Sequence, residues 1–116
     1  MAVSDVTFIY SSTAKMTMQT IAHFLRARQV DPKPVIANAL DEFEEKTGMF
    51  PEGSPVCPDL LALGCAKYRE CNTADGYRVL YSTQMNDKGG VIYVHAVLSQ
   101  KQHVASLLFN RILEWQ

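Results

Sequence analysis

Residues 65–111 read CAKYRECNTADGYRVLYSTQMNDKGGVIYVHAVLSQKQHVASLLFNR. Three strand-like runs lie within them, at 65–71, 77–83 and 91–98. Asp75-Gly76 and Gly89-Gly90 punctuate the runs, and such dipeptides mark tight turns. About five residues ending in Asp-Gly join the first two runs, which predicts antiparallel pairing. The third run, VIYVHAVL, is apolar at nearly every position. It is expected to be the most buried strand, covered on both faces. Lys67, Arg69 and Arg78 sit at strand-alternate positions. Several cations on one sheet face can receive a phosphate or an acidic partner.

Upstream, Val6–Tyr10 (VTFIY) reads as a first strand. Ser11-Ser12-Thr13 offers caps for a helix running to about Arg26. Its apolar stripe is Met18, Ile21, Ala22 and Leu25. Asp31-Pro32 is a second start signal, a capping carboxylate before a proline at the first helical position. Ile36, Ala39, Leu40 and Phe43 form the stripe of that helix. Gly48 is expected to end it, with Met49 packing back over the last turn. A short connection predicts a helical hairpin. Residues 49–59 (MFPEGSPVCPD) form the longest irregular stretch, and one helical turn is expected near Leu60–Leu63. Downstream, Ser99 and Gln102 fit a capping box for a final helix lined by Leu108, Ile112 and Trp115.

The order β-α-α-β-β-β-α predicts an α+β fold in one domain spanning residues 1–116. A helical hairpin packs on a twisted, mainly antiparallel sheet, and the opposite, concave face carries some of Lys67, Arg69 and Arg78. At 116 residues with 47% apolar content, such a domain can bury a real core. No apolar run approaches the roughly 18 residues of a membrane span. The N-terminus lacks the regions of a secretory signal, so a cytoplasmic location is expected. Cys57, Cys65 and Cys71 are unlike a zinc motif or a disulfide framework. No cofactor and no metal is expected.

Net charge is −1, yet the charges are unevenly placed. Residues 65–111 hold six Lys/Arg against three acids, and the remainder holds five against nine. This suits either solvated strand faces or a surface for an anionic ligand.

The strand pair around Lys67-Tyr68-Arg69 and Gly76-Tyr77-Arg78-Val79-Leu80-Tyr81, the buried run Val91–Leu98 and the ending Leu98–Arg111 resemble the RelE/ParE superfamily of bacterial type II toxins. The helical hairpin, opened by Ser12-Thr13-Ala14, fits the same pattern. The resemblance covers most of the chain. It implies a growth-arresting toxin held in a hetero-oligomer by a cognate antitoxin. It also implies one of two targets: ribosome-bound mRNA, cleaved by RelE-like members, or DNA gyrase, blocked by ParE-like members.

RNA cleavage of this kind needs a base for the 2′-hydroxyl, an acid for the leaving 5′-oxygen and cations for the phosphorane. By resemblance, Lys67 is the candidate base, provided that burial and positive neighbours lower its pKa. Arg69 and Arg78 would clamp the phosphate, Lys101 or His103 would serve as acid, and Tyr81 would stack or hydrogen-bond. Lys67 and Arg69 also have an ordinary reading as solvated strand residues, and His103 as a lone exposed helix residue; Arg78, between aromatic neighbours, reads as functional, antitoxin binding included. His95 reads as a hydrogen-bonded core histidine.

The resemblance is closer to ParE-like members. Net charge is low for a ribosome-acting protein, whose affinity grows with each phosphate neutralised. Ser99–His103 carries one sure cation, and the hairpin is long. Gyrase inhibition, which is not enzymatic, is therefore the first expectation, with metal-independent RNA cleavage as the alternative. A reading from another class is a non-toxic module that uses Lys67, Arg69 and Arg78 to bind an acidic peptide.

Overall fold

The computed structural model describes residues 6–87 and 89–99. Chain order is β1 (Val6–Tyr10), α1 (Ser12–Ala27), α2 (Pro32–Met49), α3 (Pro58–Leu61), β2 (Arg69–Asn72), β3 (Tyr77–Asn86) and β4 (Gly89–Ser99). The sheet order is β1-β4-β3-β2. β1 runs parallel to β4, and the other two pairs are antiparallel. The expected α+β architecture is present. The expected C-terminal helix lies outside the described residues.

Both helix starts follow from local chemistry. Ser11 Oγ accepts the Ala14 N–H at 3.0 Å, and Asp31 Oδ1 accepts the Lys33 N–H at 3.2 Å ahead of Pro32 and Pro34. Each supplies one of the acceptors that a helix N-terminus lacks. At the end of α1, Val30 N–H reaches Leu25 O and Gln29 N–H reaches Arg26 O, both at 2.9 Å. This is a Schellman closure with Gln29 in the left-handed position, at φ 63°. Gly48 does not stop α2. The helix runs through Met49, which is exposed, and Phe50 caps it at φ −137°.

The helices cover one face of the sheet. Ala14, Ile21 and Phe43 meet Cys71, Val79, Tyr81, Ile92, Val94 and Val97 there. Phe43 packs edge-on to Phe8 and Tyr81, with ring centroids 5.7 and 5.4 Å apart. β1 stops pairing at Tyr10, opposite Val94. Beyond that point α1 supplies the missing partners. Ser11 N–H donates to Val94 O, and Val97 N–H donates to the buried Thr17 Oγ1, both at 3.0 Å. A buried strand N–H without β1 to pair with is thereby satisfied.

Among the described residues, the other face is only half covered. Cys57, Leu60 and Tyr68 pack on Leu80, Ala96 and Leu98. Among the described residues, the 91–98 strand is therefore enclosed on both sides only towards its end. The early strand is also shorter than expected: pairing with β3 begins at Arg69, not at residue 65. Residues 55–57 run along the outer side of β2, through Glu70 N–H to Pro55 O at 2.9 Å and Cys57 N–H to Tyr68 O at 2.8 Å.

β3 and β4 slip register between Leu80 and Tyr81. Leu80 faces Ala96, and Tyr81 faces Val94. His95 is the extra residue of a β-bulge. Consequently Ile92, Val94 and Val97 serve the helical side, while Tyr93, His95, Ala96 and Leu98 serve the other.

Candidate functional site on the open face of the sheet

The uncovered half of the second face is a groove of about 540 Å³. Ser82, Thr83 and Gln84 of β3 and Tyr93 and His95 of β4 line its floor. Lys67 and Arg69, at the entry to β2, and Glu52, from the loop after α2, line its side.

His95 is held in place on the groove floor. Its Nε2 lies 2.7 Å from Ser82 Oγ, and its ring stands edge-on to Tyr68 at 4.8 Å and 83°. Burial, followed by the nearby Lys67 charge, lowers its pKa to about 4. The imidazole is therefore neutral at pH 7. Beside it, Tyr93 O–H donates to Gln84 Oε1 at 3.4 Å.

The cations named from the sequence separate here. Lys67 is exposed, with Nζ 5.6 Å from the Tyr68 ring centroid. The burial required of Lys67 as a base is thus missing. Arg69 lines the groove, but its Nη1 donates to Ser54 O at 2.6 Å and Glu52 O at 3.2 Å. It holds the 52–54 loop against the edge strand. Arg78 does not line the groove. Its Nη1 sits 3.6 Å from Glu70 Oε1, with the two side chains only 13% and 9% exposed. Glu70 in turn accepts from Cys57 Sγ at 3.5 Å, in the covered half of the face.

Tyr81 is also not a groove residue. It is fully buried on the helical side, where its O–H donates to Pro51 O at 3.0 Å, and burial raises its pKa. Tyr81 is thus unable to stack on a ligand in the groove. Lys101 and His103 lie outside the described residues.

Sequence reading missed Ser82, Tyr93 and Glu52, and it put His95 in the core. The available signal was the alternation of Tyr93 and His95 against Ile92 and Val94, which gives the two polar-tipped residues one face.

No protein-family model matches the chain, and no curated protein matches it. Among solved structures it is similar to the toxin-antitoxin complex RelBE2 from Mycobacterium tuberculosis. The TM-score is 0.49, with 20% identity over 80% of this chain and 95% of that chain. Among the described residues, no helix is long and apolar enough to cross a membrane, and no cluster of His, Cys, Asp and Glu could hold a metal ion.

Proposed function

We propose that this chain is the toxin of a toxin–antitoxin module, meeting its target through the open face of the sheet. The best-supported activity is metal-independent cleavage of ribosome-bound mRNA. The observation that carries this reading is the groove itself, where a neutral, oriented imidazole lies beside an exposed lysine and an arginine. Proton transfer and charge stabilisation are what phosphodiester cleavage requires. The resemblance of the strand pair and the buried run to RelE/ParE proteins supplies the biological setting. A cognate antitoxin is the expected partner.

A ParE-like block of DNA gyrase is the second reading, favoured by a separate observation. Arg69 is engaged by two loop carbonyls and Arg78 by Glu70, so the three named cations do not converge on one phosphate. A protein target would not need them to.

The test is methionine incorporation within minutes of inducing the full chain in bacteria without its partner. Prompt collapse is the outcome expected for the ribosome. Sustained incorporation followed by filamentous arrest would favour gyrase. Sustained incorporation with normal growth would overturn the toxin reading and favour a peptide-binding module.

A further inference from the structure

We propose that His95, held by Ser82, is the residue that takes the 2′-hydroxyl proton in this groove, with Lys67 acting as the cation rather than the base. The proposal rests on the RNA-cleavage reading. Three observations carry it. Strand alternation puts His95 on the groove floor beside Tyr93, and the β-bulge there keeps Ala96 on the same face instead of turning it to the helices. Ser82 Oγ and the Tyr68 ring fix the imidazole on two sides. Lys67 is exposed at the side of the groove, where an ammonium meets a phosphate without prior desolvation.

With Nε2–H donated to Ser82 Oγ, the lone pair of Nδ1 is left to accept the 2′-proton. The 2′-oxygen forms a bond to phosphorus, and the P–O5′ bond breaks, leaving a 2′,3′-cyclic phosphate. The Lys67 ammonium gives a proton to the departing 5′-oxygen. Solvent then removes the proton from His95 and returns one to Lys67. Bound phosphate offsets the Lys67 charge that disfavours imidazolium, so the imidazole becomes a stronger base once substrate arrives. Among the described residues, the charged and titratable groups around the ring are Lys67 and Arg69 from the β2 entry, Glu52 from the loop, Tyr68 edge-on to it and Tyr93 on its own strand.

The experiment uses the purified full chain, programmed ribosomes and a defined mRNA, with cleavage read by primer extension and ribosome binding read by co-sedimentation. His95→Gln is expected to lose at least ~100-fold in cleavage rate while still co-sedimenting, the scale of a removed general base. Ser82→Ala is expected to lose about tenfold, as misorientation would. The unmodified chain provides a check that needs no variant. Because kcat/KM reports the free enzyme, it should be flat from pH 6 to 8 with a neutral imidazole as base. An amine base would instead climb ~tenfold per pH unit. Parent cleavage with His95→Gln within threefold of it, or a climbing profile, overturns the proposal and leaves RNA cleavage standing. A parent that binds ribosomes or gyrase but cuts no RNA overturns both.

Discussion

Thr17 Oγ1 and the Val97 N–H are joined at 3.0 Å, eighty residues apart in sequence, where β1 has already ended. The same hydroxyl donates to Ala14 O at 2.7 Å. One threonine thus satisfies a buried N–H on the side of β4 that β1 no longer covers. Thr17→Val keeps the shape and removes the oxygen. It is expected to cost about 1–3 kcal/mol, the penalty for an unsatisfied buried donor, measured by urea unfolding. A change below a few tenths would mean that Val97 finds another acceptor.

His95 gives stability a pH dependence. Its folded pKa of about 4 lies below the ordinary histidine value of 6.5. Between these values the unfolded chain binds more protons, so stability is complete above pH 6.5 and falls as pH drops towards 4. Allowing for its partial exposure, the loss is on the order of 2 kcal/mol. Lys67→Ala should raise the His95 pKa, because it removes a like charge. NMR titration of the ring reads both effects, and an unshifted His95 in that variant would rule out the coupling.

The Glu70–Arg78 pair is half of a buried network that also engages Cys57. Arg78→Ala leaves a carboxylate buried at 7% exposure. The expected loss is about 3 kcal/mol, visible as a lower thermal midpoint. The double variant Glu70→Gln/Arg78→Gln should sit closer to the parent than Arg78→Ala. Lost toxicity in Arg78→Ala therefore has to be compared with soluble, folded protein before any role in phosphate binding is credited.

Gln29 occupies the left-handed position of the α1 closure that glycine prefers. Gln29→Gly is expected to stabilise the fold by about 1 kcal/mol, since an L-residue is strained there. Thermal unfolding at constant pH measures it, and a loss of stability would show that the Gln29 side chain makes up for the strain.

Lys67→Ala separates the two toxin readings. A groove that cleaves RNA should lose most of its growth arrest with this change, while the thermal midpoint moves by less than about 0.5 kcal/mol equivalent, as for an exposed residue. Undiminished arrest by the variant would favour a target bound elsewhere on the molecule.

Much of the fold was legible along the chain. The 3.6-residue stripes of α1 and α2, the Ser11 and Asp31 caps and the Asp75-Gly76 turn are local, and local signals survive folding unchanged. Gly48 misled because a glycine stops a helix only when its backbone turns left-handed, and the chain makes no such turn there. The site was less legible. Alternation correctly groups Tyr93 and His95 on one face but sends Val97 there too, whereas the bulge returns Val97 to the core. Arg69 and Arg78 looked equivalent in sequence. One reaches loop carbonyls from the edge strand and the other a buried carboxylate, partners that only chain crossing brings near.

Among the described residues, sequence by itself determined where most helices and strands lie, because periodicity, capping and turn chemistry act over a few residues. Tertiary structure decided which face of the sheet the helices cover, where β4 slips register, and which partners Arg69 and Arg78 find. Those outcomes depend on how far the 50–68 loop reaches across the sheet and on which carbonyls and carboxylates it brings within hydrogen-bonding distance. No single stretch of chain encodes such distances.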